Sequence, residues 1–206
     1  MTEAALRGDV RRLRASYRRA AHSLPWLDAA RRDDDPPAFG EFASDPGLPA
    51  APRAVLEDGG PLPEAGTLVR WAPERSGALE ALPGRFEAMA DAGLPLVVLH
   101  TDLTIEAIGA LAARHPRLRI VIESGPLKLL YFIEPIERLM RARPNVWLCS
   151  ANLCNWLGLE RLCAAGLGDR LLFGTHAPRF SAHVAMGPIV MGRMSADQQR
   201  AIAGDN

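Results

Sequence analysis

Short apolar runs recur along residues 67–206 at nearly constant intervals, and this rhythm limits the folds that the chain can adopt. The runs are TLVRW (67–71), PLVVLH (95–100), RIVIES (119–124), NVWLCS (145–150) and RLLFG (170–174). Their starts lie 28, 24, 26 and 25 residues apart, which is about the length of one strand plus one helix. Five such units in series predict an α/β fold with a parallel sheet and outer helices.

The segments between the runs carry the signals of helices. One of them places Ile105 and Leu111 on the same helical face and is stopped by Pro116. The last segment opens with Ser195 and Gln198 at capping-box spacing, which marks the start of a helix.

The first 66 residues lack this rhythm and divide into two parts. Residues 1–32 predict an N-terminal basic amphipathic helix with one apolar stripe, formed by Leu6, Val10, Leu13 and Tyr17. Such a helix packs on its own domain or on a neighbour, and its arginines also suit a lipid surface, a nucleic acid or a targeting signal. Residues 33–66 hold seven of the 17 prolines and predict a Pro/Gly-rich irregular segment. The third part, residues 67–206, is the (β/α) domain.

Composition excludes several classes of protein. Lys plus Arg and Asp plus Glu both number 24, so no overall charge directs the chain to nucleic acid. No apolar run reaches the roughly 18 residues that a membrane span requires. The three cysteines cannot all pair with one another, which favours a reducing compartment. We therefore expect a cytoplasmic protein without nucleic-acid or membrane partners.

Polar side chains stand at the carboxyl ends of the predicted strands, where parallel sheets bind their ligands. Glu123 follows the apolar run RIVI, so its carboxylate needs a cation, a hydrogen-bond donor or water. Arg70 can hold a carboxylate of a substrate or pair with Glu74. The full set of candidates is Arg70, His100, Glu123, Asn152 and His176.

These runs and their polar ends resemble the amidohydrolase-related family of metal-dependent (β/α)8 barrels, which includes hydrolases and decarboxylases. The similar segments are TLVRWAPE (67–74), GLPLVVLH (93–100), ARHPRLRIVIESG (113–125), PNVWLCSAN (144–152), GDRLLFGTHAP (168–178) and SADQQRAIAGDN (195–206). The resemblance implies an incomplete or truncated TIM-type barrel with about five parallel strands. The missing part would come from the first third of the chain, from a second copy in a homo-oligomer, or from a longer reading frame.

The resemblance also implies an altered metal centre. His100 falls where the family has a metal-binding histidine on its fifth strand. Glu123 replaces the sixth-strand histidine, His176 replaces the aspartate of a Gly-Ser-Asp triplet, and the first-strand His-x-His pair has no counterpart. Two imidazoles and one carboxylate are suitable ligands for zinc, and also for iron or manganese. The predicted metal ligands are therefore His100, Glu123 and His176, although a metal-free site is also compatible with these exchanges.

The function that the resemblance implies is that of a hydrolase acting on a small molecule at a C–N, C–O or related bond, or that of a decarboxylase. Metal or Glu123 would activate water, His176 would move the proton, and His100 would hold metal or the developing oxyanion. Arg70 and Asn152 would bind the substrate. The alternative is a non-catalytic barrel fragment or partner-binding protein that has lost the metal site.

Overall fold

The computed structural model contains one continuous sheet of six parallel strands. It describes residues 17, 21, 23–27, 29, 48–57, 59–124, 132–153 and 157–206. The strands are β1 (Arg53–Val55), β2 (Leu68–Arg70), β3 (Leu96–Leu99), β4 (Ile120–Glu123), β5 (Val146–Cys149) and β6 (Leu171–Leu172). They follow chain order across the sheet, and each neighbouring pair is parallel. The predicted parallel sheet of a partial TIM-type barrel is confirmed.

Helices follow the strands from β2 onward, as the spacing predicts. They are α1 (Pro73–Ser76), α2 (Pro83–Asp91), α3 (Ile105–Arg114), α4 (Ile133–Ala142), α5 (Gly158–Ala164), α6 (Ala182–Met191) and α7 (Ala196–Arg200). Two 3-10 turns lie at Leu79–Ala81 and Gly168–Arg170, and a π-helical turn follows α7 over Ala201–Asp205. Among the described residues, no helix is both long enough and apolar enough to cross a membrane.

Helix α3 shows how the sequence pattern produces these connections. The Thr104 side chain accepts a hydrogen bond from the backbone N–H of Ala107 and so caps the amino terminus. Ile108, Leu111 and Ala112 recur at helical spacing and are buried against the sheet. Each large apolar side chain buried in this way contributes about 1.5–3 kcal/mol.

The sheet is covered on both faces, which explains why its strands read as continuous apolar runs. All four residues of β3 and of β4 are buried. Alternate residues such as Leu96 and Ile120 pack under the helices, whereas Val97 and Val121 belong to a smaller apolar cluster on the inner face. Residues on this inner face point toward the interior of the barrel.

Strand β1 lies within residues 33–66, which the sequence assigns to an irregular segment. Arg53, Ala54 and Val55 pair in parallel with Leu68, Val69 and Arg70. The starts of β1 and β2 lie only 15 residues apart, too few for a strand plus a helical crossover, so the rhythm of the other strands is broken here. Proline and glycine on both sides of this short strand give it the appearance of a loop in the sequence.

A segment near the amino terminus lies beside β6 at the opposite edge of the sheet. The backbone N–H of Ala29 donates to the carbonyl of Phe173 at 3.0 Å, and that of Leu27 donates to the carbonyl of Ala203 at 2.8 Å. The ring of Trp26 packs on Phe173 with centroids 4.7 Å apart. These contacts fix the position of the Ala29 carbonyl.

The predicted amphipathic helix of residues 1–32 lies mostly outside the described residues. Leu6, Val10 and Leu13 are among those that the structure does not describe. Tyr17 is described: its hydroxyl donates to the carbonyl of His183 at 3.2 Å, and its ring packs against the apolar core. Packing of the whole stripe on the domain stays a prediction.

The last residues of the chain pack against the segment beside β6, at residues 25–27. Ser195 and Gln198 form the predicted capping box at the start of α7. In the π-helical turn that follows, a β-carbon at Gly204 would overlap the carbonyl oxygen of Pro25. Gly204 therefore allows the backbone of residues 25–27 to approach the turn closely.

We expect Gly204→Ala to destabilise the protein by about 1–3 kcal/mol, because the added methyl group forces the two backbones apart. Gly84→Ala in α2 is the matched control, since a β-carbon there meets no atom within 4 Å. Urea denaturation followed by circular dichroism measures both effects. Equal stability of the two variants would contradict this account of Gly204.

Candidate active site

Glu123 and His176 lie at the carboxyl end of the sheet, where the sequence places them. Glu123 is the last residue of β4, and His176 follows β6 by four residues. The backbone of His176 is left-handed, with φ of 56°, a conformation that residues other than glycine adopt rarely. This bend turns the chain at the strand end and directs the imidazole toward β4.

The two side chains meet in a buried hydrogen bond. Nε2 of His176 lies 3.0 Å from Oε1 of Glu123, and the exposed fractions of the side chains are 2% and 1%. The curvature of the sheet thus brings together two strands that are not neighbours.

Arg53 is the second partner of this carboxylate. Its Nη2 donates to Oε2 of Glu123 at 2.8 Å, and its Nη1 donates to the carbonyl oxygen of Ala29. The Arg53 side chain is 16% exposed. One guanidinium therefore links β1, β4 and the segment beside β6.

Sequence reasoning missed Arg53, because its strand was assigned to a loop. The available signal was the short apolar stretch Ala54–Leu56 between Pro52 and the turn at Gly59. An arginine at the start of such a stretch carries no mark of its partner, since Glu123 lies 70 residues further along the chain.

His100 is next to the pair but does not join it. Its Nδ1 lies 3.4 Å from the backbone carbonyl oxygen of Glu123, and its ring packs beside Phe132 with centroids 5.3 Å apart. Burial lowers the pKa of His100 below its ordinary value, and outweighs the hydrogen bonds to backbone and the charge of Asp102, which raise it. His100 is therefore mainly neutral near pH 7.

The two predicted substrate-binding residues lie on different parts of the same face. Arg70, at the end of β2, has its Nη2 3.9 Å from Oδ2 of Asp102, so its carboxylate partner is not Glu74. Its Nε is buried and makes no hydrogen bond within the described part of the chain. Asn152 has φ of 55° and lines a small cavity of about 40 Å³ with Thr175, the residue before His176.

A larger cavity of about 260 Å³ lies toward the amino-terminal ends of the strands. Leu68, Arg119, Val121 and Trp147 contribute to its wall. Val121 precedes Glu123 by two residues on the same face of β4, so this space lies beneath the Glu123–His176 pair.

The residues present do not fit a three-ligand metal centre. A catalytic zinc site normally has three protein ligands whose donor atoms point at one position. Across the residues that the structure describes, no group of three or more His, Cys, Asp or Glu side chains could hold a metal ion. Glu123 and His176 bond to each other, and His100 presents its ring nitrogen to a backbone carbonyl. The structure therefore brings together two of the three predicted ligands.

We expect the free energy of unfolding to decrease as the pH falls below 6.5, the ordinary pKa of histidine. Because the folded pKa of His100 is lower, the unfolded chain takes up this proton first. The decrease ends once the pH passes below the folded pKa. His100→Gln should reduce the loss of stability over this window, as measured by urea denaturation at a series of pH values. Identical pH dependence in both proteins would show that His100 does not contribute.

Three of the solved structures that are similar to this chain are given below, and the first of them supports this architecture. An uncharacterised TIM-barrel protein from Bordetella bronchiseptica aligns at 18% identity with a TM-score of 0.59, over 77% of this chain and 65% of that one. A dihydroorotase from Campylobacter jejuni aligns at 18% identity with a TM-score of 0.48, over 68% and 55%. An amidohydrolase from Burkholderia multivorans with bound zinc aligns at 16% identity with a TM-score of 0.49, over 70% of this chain and 64% of that one.

The chain thus spans 55% to 65% of the length of these three structures. No curated protein matches it significantly. The Amidohydrolase family model matches residues 65–206, which is more than half of the sequence. The chain belongs to the amidohydrolase family.

Proposed function

We propose that this protein is a hydrolase of small molecules in which Glu123 and His176 form the reaction centre. The observation that supports the proposal is the contact of 3.0 Å between Nε2 of His176 and Oε1 of Glu123. Strand ends at this face of a (β/α) barrel are where catalytic residues of such folds lie. Membership of the amidohydrolase family favours attack by water on the substrate.

The orientation of the pair determines which group takes the proton. A carboxylate that accepts the hydrogen of Nε2 holds neutral histidine in the tautomer whose Nδ1 has a lone pair. In the proposed reaction, Nδ1 of His176 accepts a proton from water as the water oxygen bonds to the substrate carbon. Glu123 stabilises the resulting imidazolium, which then returns the proton to the leaving nitrogen or oxygen as its bond to carbon breaks. This step needs no further reactant, since water supplies both oxygen and proton.

Arg70 is the residue that we assign to recognition of an anionic group on the substrate. Its side chain is 25% exposed, and its Nε lacks a hydrogen-bond partner among the described residues. The contact to Asp102 is long, at 3.9 Å, so the guanidinium retains donors for a ligand. The class of substrate that follows is a small molecule with a carboxylate or phosphate near the bond that is cleaved.

The predicted divalent metal is not part of this proposal, because the described residues do not form a metal site. Localisation in the cytoplasm and a homo-oligomer that completes the barrel stay predictions. For the cytoplasm, the supporting observation is that the sequence has three cysteines, which cannot all pair with one another.

The non-catalytic alternative is favoured by one specific observation. Both oxygens of Glu123 already accept from protein donors, and Glu123 and His176 are almost fully buried. A closed set of contacts of this kind is also what a purely structural pair requires.

Activity against a panel of amides, lactones and esters with and without an anionic group separates the two functions. We expect His176→Asn to reduce kcat by about 100-fold to 10,000-fold, because general-base catalysis contributes that much. Asparagine is chosen since it tolerates the left-handed backbone at this position. Arg117→Met, which changes an exposed pair with Asp91, is the control and should leave kcat unchanged.

Arg70→Met should raise KM for the anionic members of the panel while kcat changes little, since Arg70 binds the substrate without touching the reacting atoms. No turnover of any member by the wild-type protein would favour the non-catalytic alternative. A His176→Asn variant as active as wild type would exclude His176 as the base.

A further inference from the structure

Arg53 places a permanent positive charge next to the carboxylate of Glu123, which is one of the predicted metal ligands. Its Nη2 lies 2.8 Å from Oε2 of Glu123, whose side chain is 1% exposed. A guanidinium stays protonated at any pH at which proteins fold. Glu123 therefore has a cation within hydrogen-bond distance of its almost fully buried carboxylate.

The position of this cation is fixed from two sides. Nη1 of Arg53 donates to the carbonyl oxygen of Ala29, and the N–H of Ala29 donates to the carbonyl of Phe173. The planar guanidinium thus has one donor on β4 and one on the segment beside β6. Arginine suits such a site better than lysine, because its donors are held in a rigid fork.

A divalent metal on Glu123 would have to displace these contacts. Oε1 faces His176 at 3.0 Å and Oε2 faces Arg53 at 2.8 Å. A metal ion bound to either oxygen would stand a few ångström from the guanidinium, and like charges repel strongly where water is excluded. His100 adds no compensating ligand, since its Nδ1 lies near a backbone carbonyl.

We propose that Arg53 is the resident cation of this site and takes the place of a divalent metal. Arg53 neutralises Glu123 and positions it for His176, so that the pair assembles without a metal ion. The inference deepens the proposed function, on which it rests for the role of the site, but its readouts are metal content and stability rather than turnover.

The first test is the metal content of the full chain. The protein is dialysed against Zn²⁺ or Mn²⁺, and free ions are then removed. Elemental analysis should find less than about one tenth of an equivalent of metal per chain, because Arg53 already occupies the site beside Glu123 and folding does not depend on a metal. A chelator should leave Tm unchanged. Near one equivalent of metal that Glu123→Gln removes would overturn the proposal.

The second test is a double-mutant cycle between Arg53 and Glu123. Arg53→Met should lower Tm by roughly 5–10 °C, because it leaves a buried carboxylate without its cation. Adding Glu123→Gln to this variant should then cost less than it does in wild type, since the two losses share one interaction. Arg117→Met, at an exposed pair with Asp91, controls for loss of any arginine. Additive effects of the two substitutions would overturn the pairing.

If Arg53→Met does not fold, Arg53→Lys tests the same point, because it keeps the charge and removes the fork. We expect this variant to fold without metal and to have a Tm below that of wild type. An Arg53→Lys protein that folds only with added Zn²⁺ or Mn²⁺ would overturn the proposal. A metal-bound wild type that hydrolyses substrates would overturn this inference alone, whereas a metal-free protein without turnover would overturn only the proposed hydrolase.

Discussion

The contact between Arg53 and Glu123 is the interaction on which the arrangement of this site depends. A carboxylate that is 1% exposed is stable only when charge and hydrogen bonds replace the lost water. Arg53 supplies the charge, and His176 supplies the second hydrogen bond. Removing one partner of a buried ion pair typically costs about 3–5 kcal/mol, a large share of the stability of a single domain.

This contact also ties together parts of the chain that no regular strand pairing joins. β1 stands at one edge of the sheet and pairs only with β2 in the described structure. Across the inner face, the Arg53 guanidinium reaches both β4 and the carbonyl of Ala29. The Ala29 carbonyl is in place because its own N–H bonds to Phe173 and because Gly204 leaves room for the neighbouring backbone at Pro25. A glycine far from the site in sequence thus supports the geometry at Glu123.

Periodicity in the sequence predicts the sheet well, because five strands are each followed or preceded by a helix at regular spacing. It fails for β1, whose connection to β2 contains no described helix and whose three residues lie between turn-forming ones. The meeting of Glu123 and His176 follows from their places at strand ends in a curved sheet. Arg53 does not follow from any local pattern, since its contact to Glu123 depends on how the chain curves between two distant strands. Side-chain direction likewise separates His100 from the pair, although their strands are neighbours.

The charges of the three groups account for the two exchanges that the resemblance to the family implies. In the exchanges so implied, a histidine in place of an aspartate removes one negative charge, and a glutamate in place of a histidine restores it on the neighbouring side of the site. The charges of Glu123 and Arg53 cancel each other in their contact. A doubly charged metal at the same position would leave an excess of positive charge beside a guanidinium that cannot release its proton. Low dielectric favours charges that cancel, so Arg53, Glu123 and His176 act as one unit.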